Sequence, residues 1–255
     1  MRIIRCDQGS PEWHQARAGC ITASMFKTAR SRINGLDEKQ AAYVSAIRSG
    51  LDEAAAREAA GYKAPPKSET VKRAIAGQKV GDPSEAALNY AFRTAIERIS
   101  GTPLDEGFET WQMKRGHDLE PSARLAHETA AGVMVERAGF ITTDDGRFGA
   151  SADGLIGDDG GSEYKCLVSP EGLREVLLSD DISEFTDQIQ GCLWITGRRY
   201  WHFALYCPAL APIGTELYWR RVERDEAYIE ELEIDLLQFS ALVDQFELTL
   251  RQKAA

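Results

Sequence analysis

The pattern of apolar and polar positions divides the chain into a helical first part, a central group of short strands and a long final helix. From Val133 to Val168, short apolar runs alternate with turns that contain Asp and Gly, which predicts strands. The runs Tyr200–Cys207 and Glu216–Val222 predict two more strands. Apolar residues recur at helical spacing from Asp225 to about Gln252 and predict one amphipathic helix. This order of elements is typical of a mixed α/β domain.

Helix start and stop signals organise the first 110 residues. After a short predicted strand at Ile3–Cys6, Ser10 is expected to cap a helix that ends near Gly19. Thr22 is expected to cap the next helix. From residue 30 to about 110 the sequence is mostly alanine-rich helix, with a polar break at 63–69. We therefore predict a single domain over residues 1–255, with a helical insertion at about 30–110.

Composition and charge narrow the possible functions. No run approaches the roughly 20 apolar residues that span a bilayer, and the first residues lack the apolar core of an export signal. The five cysteines form no CxxC pair, which argues against zinc or iron–sulfur ligation and favours a reducing cytoplasm. The net charge of −10 disfavours general affinity for nucleic acid but does not exclude a local basic groove.

The run from residue 149 to 168 holds the densest group of reactive side chains. If its turn spans about 157–161, Leu155 pairs near Glu163 and Asp153 pairs near Lys165. Alternate residues share a face, so Asp153, Glu163 and Lys165 are expected to project together. Two carboxylates and an ammonium suit a hard divalent cation used in phosphodiester cleavage. The ordinary alternative is an exposed strand with a Glu-x-Lys triplet after an Asp-Gly turn.

Two further elements precede this run. Glu120 lies in the first turn of a helix that we expect Asp118 to cap, where a carboxylate commonly only complements the helix dipole. It would otherwise supply a third carboxylate to a two-cation site. Arg17 lies one turn before the predicted helix that holds Ser24, an arrangement suited to an anion such as a phosphate. The alternative there is an ordinary corner between two helices.

A pair of glutamines follows the run. Gln188 and Gln190 are predicted to lie on a helix between residues 183 and 196. Residues two apart on a helix point in nearly opposite directions, so the two amides cannot serve one atom together. One of them could still position a water or a phosphate oxygen, whereas the common alternative is a solvated surface pair.

Taken in order, these elements resemble the phage-type recombination exonucleases, the lambda exonuclease and YqaJ-like family. The resemblance covers roughly residues 5–28 and 112–250 and rests on the ordered set rather than on one motif. It implies the restriction-endonuclease-like PD-(D/E)xK fold, a central mixed β-sheet flanked by helices with a helical N-terminal region. Ala152 stands where the family has proline before the aspartate.

The resemblance also implies a role for each residue. Asp153, Glu163, Glu120 and the backbone carbonyl of Tyr164 would bind Mg²⁺, as two ions and with Mn²⁺ as a possible substitute. Lys165 would orient or activate the attacking water, and Gln190 with Gln188 would match a glutamine motif. The residues implied for binding the terminal 5′-phosphate are Arg17, Ser24 and Ser151.

The implied activity is digestion of the 5′-ended strand of linear duplex DNA to mononucleotides. The implied partners are DNA ends, two further copies of the chain in a trimeric ring and a single-strand annealing protein, in the cytoplasm of a bacterial host. Two alternatives stay open. They are a sequence- or structure-selective endonuclease on the same core and a non-catalytic DNA-binding relative.

Overall fold

The computed structural model describes residues 1–104 and 110–254, which form two compact units. One unit contains residues 1–29 and the described residues from 90 onward; the other is Arg30–Asn89. The single domain with an insertion at about 30–110 stays a prediction, and its residues 105–109 lie outside the described part. Within that part, no helix is both long and apolar enough to cross a bilayer.

The elements alternate along the chain as follows. The helices are α1 (Pro11–Arg17), α2 (Phe26–Arg30), α3 (Glu38–Arg48), α4 (Glu53–Ala59), α5 (Glu69–Ile75), α6 (Glu85–Ser100), α7 (Trp111–Ala131), α8 (Pro170–Ser179), α9 (Thr186–Thr196) and α10 (Glu226–Lys253). The strands are β1 (Arg2–Ile4), β2 (Ile21–Thr22), β3 (Arg32–Ile33), β4 (Asp82–Pro83), β5 (Phe140–Thr142), β6 (Phe148–Ala150), β7 (Gly154–Ile156), β8 (Gly160–Lys165), β9 (Tyr200–Tyr206) and β10 (Leu217–Glu223). Short 3-10 turns cover Ala23–Met25, Ser183–Phe185 and Pro208–Ile213.

Two four-stranded mixed sheets organise the larger unit. The first has the order β1-β5-β6-β2, in which β2 runs parallel to β6. The second has the order β10-β9-β8-β7, in which β8 and β9 are parallel and their other neighbours are antiparallel. Because parallel neighbours need a crossover connection, α8 and α9 link β8 to β9. The predicted mixed α/β class is confirmed.

The second sheet is buried around β9. Trp201, Phe203 and Leu205 on this strand are fully buried, as bulky aromatic and aliphatic residues in a central strand should be. Gly161 on β8 lies directly opposite Trp201, and a Cβ there would come within 2.2 Å of the indole ring. A larger residue at 161 would therefore push apart the two strands that carry the candidate site.

The smaller unit is a helical cluster with its own apolar centre. Helices α3, α4 and α5 each begin at a side chain that caps the first turn: Asp37, Asp52 and Ser68 respectively. The pair β3–β4 is antiparallel and lies within this unit. The buried residues of this apolar centre are Tyr43, Val44, Ala56, Ala60, Val71 and Ala74.

Two local predictions differ from the structure, and one helix has no counterpart in the predicted elements. Thr22 does not cap a helix, because it lies in β2 and a 3-10 turn follows it. Helix α7 begins at Trp111, with Thr110 as its cap, so Asp118 is not a cap and Glu120 lies in mid-helix. Helix α8 was not predicted, although Ser169 followed by Pro170 is a helix-start signal.

Candidate active site

The β7–β8 hairpin brings the predicted catalytic run together. Its turn covers residues 157–159, and Leu155 pairs with Gly161 rather than with a residue near Glu163. The predicted register was therefore wrong by two residues, because the turn is shorter than expected. Side chains alternate with a period of two, so a shift of two leaves the face unchanged. Asp153, just before β7, comes to lie beside Glu163 and not beside Lys165.

Asp153 is held by the backbone of the neighbouring strand. Its Oδ2 accepts a hydrogen bond of 2.7 Å from the amide of Tyr164. Burial raises the pKa of Asp153 well above its usual value, and the nearby charges of Glu163 and Glu120 raise it further. Like charges at this distance repel one another when ionised. Such a group is stabilised by a cation.

Glu163 and Lys165 form a paired centre with Gln188. Lys165 Nζ lies 2.7 Å from Glu163 Oε1 and 3.0 Å from Gln188 Oε1, and Gln188 Nε2 donates to the same carboxylate oxygen at 2.7 Å. Burial lowers the pKa of Lys165, but the charge and hydrogen bond of Glu163 and the charge of Asp153 outweigh it, so the net pKa is raised. Lys165 is therefore a charged hydrogen-bond donor at neutral pH.

The second carboxylate oxygen of Glu163, Oε2, indicates whether a cation fits at this centre. Glu163 is only 4% exposed, and its Oε2 is buried with no hydrogen-bond partner among the described residues. A buried carboxylate oxygen without a donor is costly, and a hard cation would compensate for it. Among residues 1–104 and 110–254, no three His, Cys, Asp or Glu side chains already form a group that could hold a metal. The donor set fits a divalent ion through its chemistry rather than through a preformed cage.

The structure brings Glu120 to this centre from helix α7. Its charge acts on Asp153, and the two residues line one groove with a volume of about 680 Å³. The exposed side chains of Arg5 and Arg137 line the same groove together with further acidic side chains. These cations lie beside the carboxylates in a chain whose net charge is −10.

Arg17 and Ser151 form a second, linked cluster. Arg17 donates a 2.7 Å hydrogen bond to Ser151 Oγ, and Trp13 Nε1 donates to the same oxygen at 3.0 Å. The guanidinium lies 4.2 Å from the centroid of the Trp13 ring. Burial lowers the pKa of Arg17, yet a guanidinium keeps its charge in proteins. Ser151 lies two residues before Asp153, so the cluster adjoins the carboxylates along the chain.

Ser24 lies on a separate pocket that reaches the paired centre. This pocket has a volume of about 220 Å³ and contains the side chains of Ser24, Lys165 and Gln188. The sequence prediction missed Lys27, which also lines the pocket and forms an ion pair with Glu184. The i, i+3 spacing of Ser24 and Lys27 across one turn was the signal that could have identified it.

Gln190 does not join the site, which corrects the expectation of a role beside Gln188. It is buried, its Nε2 donates to the carbonyl of Glu223, and its Oε1 accepts from the amide of Asp225. The physical reason is the near-opposite direction of residues two apart on a helix. Gln190 fixes the start of α10 to α9, whereas Gln188 contacts Glu163 and Lys165.

This separation predicts different effects for the two glutamines. Gln188→Ala should lower the rate of the reaction at this site about tenfold or more, since it removes a hydrogen bond to each charged partner. Its cost in stability should be smaller than that of Gln190→Ala, because Lys165 Nζ still donates to the same oxygen of Glu163. Gln190→Ala should instead lower the free energy of unfolding by about 1–3 kcal/mol, because two buried backbone groups lose their partner. Denaturant unfolding and single-turnover rates of both variants test this; equal effects of the two on rate would contradict it.

Comparison with known proteins gives a family and a fold. The profile of the YqaJ-like viral recombinase domain matches residues 71–199, about half of the chain. The match includes Glu120, Asp153, Glu163, Lys165 and Gln188 but not Arg17 or Ser24. No curated protein matches the chain.

Solved structures agree with this match. An alkaline exonuclease from Laribacter hongkongensis is 26% identical, with a TM-score of 0.68 over 96% of this chain and 98% of that chain. The same exonuclease in complex with dAMP gives a TM-score of 0.66 at 26% identity and the same coverage. A phage-related exonuclease from Haemophilus somnus 129PT shares the fold at 11% identity, with a TM-score of 0.58 over 92% of this chain and 96% of that one. The restriction-endonuclease-like fold expected from the sequence is confirmed.

Proposed function

The chain belongs to the YqaJ-like viral recombinase domain family, and we propose that it is a divalent-metal-dependent exonuclease. It degrades the 5′-ended strand of linear duplex DNA to mononucleotides and leaves 3′ single-stranded tails for strand annealing. The observation that carries the proposal is the group formed by Asp153, Glu163, Lys165 and Gln188 at the β7–β8 hairpin. The similarity to an alkaline exonuclease over nearly the whole chain supports the same class of activity.

The carboxylates are the proposed metal ligands. Asp153, Glu163, Glu120 and the Tyr164 carbonyl would hold two Mg²⁺ ions, for which Mn²⁺ is expected to substitute. When bound, such ions polarise phosphoryl oxygens and lower the pKa of water. The mutual repulsion of the carboxylates and the partnerless Glu163 Oε2 support this assignment.

Lys165 acts as a charged donor rather than as a general base. Because its net pKa is raised, Lys165 carries a proton at neutral pH and is suited to donate a hydrogen bond rather than to accept a proton. Its ammonium orients the attacking water and stabilises negative charge on the phosphate in the transition state. Gln188 holds Lys165 and Glu163 in one arrangement through its amide.

The terminal 5′-phosphate of the substrate is assigned to the cations that flank this centre. Arg17 offers a guanidinium fixed by Trp13 and Ser151, and Ser24 with Lys27 lines the pocket that reaches Lys165. A phosphate held at Arg17 sets the register of cutting. Each cut would then release one nucleotide and leave a new 5′-phosphate in its place.

Arg17→Met should erase most of the preference for 5′-phosphate ends over 5′-hydroxyl ends. Methionine keeps much of the packing against Trp13 but removes a charge-assisted hydrogen bond, so the preference should fall about 10- to 100-fold. Competition between the two end types in one reaction measures it. Arg251→Met, which removes an exposed arginine of α10, is the control. If Arg17→Met keeps the wild-type preference for 5′-phosphate ends, Arg17 does not bind the terminal phosphate.

A structure-selective endonuclease on the same core is the main alternative function. Linear and covalently closed circular duplexes of the same sequence separate the two, because an exonuclease needs an end. We expect Mg²⁺-dependent loss of the linear duplex and no cutting of the closed circle. Cutting of the closed circle at a comparable rate would overturn the exonuclease assignment in favour of the alternative.

The proposed enzyme works as a trimer and with an annealing protein as its partner. A trimeric ring around the duplex would let a chain of net charge −10 retain DNA by encirclement rather than by electrostatic affinity. A single-strand annealing protein would receive the 3′ tails, in the cytoplasm of a bacterial host. Sedimentation of the protein at micromolar concentration should give a mass three times that of the chain.

A further inference from the structure

A chain of buried polar rings lies on the reverse side of the sheet that carries the candidate site. His127 on α7 is fully buried; its Nδ1 lies 3.0 Å from the hydroxyl of Tyr164 on β8. Its Nε2 lies 2.9 Å from Nδ1 of His202 on β9. Trp219 on β10 packs against both imidazoles. The catalytic scheme above uses none of these side chains.

Burial favours the neutral form of both imidazoles. Burial lowers the pKa of His127, and burial together with the charges of His127 and Arg221 lowers the pKa of His202 to about 4. A neutral imidazole has one donor and one acceptor nitrogen, so the hydrogen bonds must run in one direction along the chain. Such a network has few alternative arrangements. It holds its three parent elements in fixed relative positions.

Tyr164 joins this network to the carboxylates. Its side chain binds His127, while its backbone amide donates to Asp153 and its neighbours on the strand are Glu163 and Lys165. On α7, Glu120 precedes His127 by seven residues, which is two helical turns, and the two side chains therefore lie on the same side of the helix. Fixing His127 against β8 thus fixes the direction from which Glu120 approaches Asp153.

Holding α7 in place counteracts the electrostatic repulsion between the carboxylates. Asp153 and Glu120 line one groove, and Glu163 lies beside Asp153 and is only 4% exposed, so the carboxylates repel one another when ionised. The helix α7 that supplies Glu120 also contains Pro121, which removes one hydrogen bond from the helix at this point. A weakened helix that carries a repelled carboxylate needs an external attachment to stay in place. Apolar contact between α7 and the sheet comes from Ala123, Tyr164 and Ala204. The hydrogen bonds between the rings fix the orientation of α7 on the sheet.

We propose that Tyr164, His127 and His202 form a positioning network that holds Glu120 of α7 against Asp153 and Glu163 and so sets the affinity of the site for divalent cations. The inference rests on the proposed function, because it assumes that these carboxylates bind a cation. The three rings touch neither the substrate nor the cation through their side chains. They act by keeping the ligands close together despite their repulsion, as partners behind metal ligands commonly do.

Calorimetric titration of the DNA-free protein with Mg²⁺ tests the network directly. Tyr164→Phe keeps the ring, the amide and the carbonyl and removes only the hydroxyl that binds His127. We expect it to weaken Mg²⁺ binding about tenfold. His127→Phe, which removes both hydrogen bonds, should weaken it at least as much. Tyr200→Phe is the matched control, since Tyr200 packs against His202 but its hydroxyl makes no hydrogen bond within residues 1–104 and 110–254.

The Mg²⁺ dependence of cleavage distinguishes a loss of ligand positioning from a general loss of structure in the active site. In Tyr164→Phe the rate at saturating Mg²⁺ should return to within about threefold of wild type, while the half-saturating concentration rises about tenfold. Thermal unfolding of each variant verifies that it is folded. Wild-type Mg²⁺ affinity in Tyr164→Phe, or a rate that stays low at saturating Mg²⁺ with unchanged affinity, would overturn the network. Absence of Mg²⁺ binding by the wild-type protein would instead overturn the metal-dependent function.

Discussion

Replacement of Asp153 by asparagine is expected to lower the rate of DNA cleavage by about a thousandfold or more while making the cation-free protein more stable. The loss follows from removal of a proposed metal ligand, since a catalytic cation supplies several kcal/mol of transition-state stabilisation. The gain in stability follows from the raised pKa of Asp153, which has burial as its largest cause, followed by Glu163 and Glu120. Asparagine keeps an acceptor for the Tyr164 amide and carries no charge.

The pH dependence of this gain has a definite sign. A carboxyl whose folded-state pKa is raised costs nothing below its unfolded pKa of about 4, where both states are protonated. The cost grows as the pH rises toward the folded-state pKa, so the advantage of Asp153→Asn should be small at pH 3 and large at pH 7. Thermal unfolding with EDTA measures it, with exposed Asp159→Asn as control. A variant less stable than wild type at pH 7 would contradict the assigned repulsion.

Replacement of Lys165 by methionine is expected to lower both activity and stability. Loss of the charged donor should reduce the cleavage rate by about 10²- to 10⁴-fold. The buried Glu163 would lose its ion pair, which should lower the free energy of unfolding by about 3 kcal/mol. The net pKa of Lys165 is raised because Glu163 and Asp153 outweigh burial, so its stabilising effect is fully present at neutral pH and is lost as pH rises through that pKa.

Lys165→Met and Asp153→Asn thus form a pair with similar effects on rate and opposite effects on stability. Single-turnover cleavage and denaturant unfolding in EDTA measure the two quantities. Lys114→Met, at an exposed and weakly paired lysine of α7, controls for loss of one positive charge. If Lys165→Met unfolds at the same denaturant concentration as wild type, the hydrogen bond between Lys165 and Glu163 does not stabilise the protein as described.

The sequence predicted which side chains of the β7–β8 hairpin share a face, but it did not predict the register of the hairpin. Alternation of residues placed Asp153, Glu163 and Lys165 on one face, and this placement survives a two-residue error because the error is even. The error arose at the turn, where the glycines of Asp-Asp-Gly-Gly made a longer loop plausible. In the structure Gly160 and Gly161 belong to β8. The rings of Tyr200 and Trp201 on β9 occupy the space where side chains at 160 and 161 would lie.

The helix that carries Glu120 could not be placed from local signals alone. Asp118 before Pro121 has the pattern of a helix start, yet Thr110 caps the helix and α7 continues through the proline. Packing of α7 against β8 and β9 outweighs the lost hydrogen bond. The network of His127, Tyr164 and His202 depends on side chains far apart in sequence, for which a single sequence contains no signal.

The polarity of digestion tests the central claim most directly. Two linear duplexes of one sequence, each 5′-phosphorylated, carry a label either in the first 5′ nucleotide or in the last 3′ nucleotide of the same strand. With Mg²⁺, the proposed 5′→3′ exonuclease releases the 5′ label first, as a mononucleotide, and releases neither label with EDTA. Release of the 3′ label first, or undiminished digestion in EDTA, would contradict it.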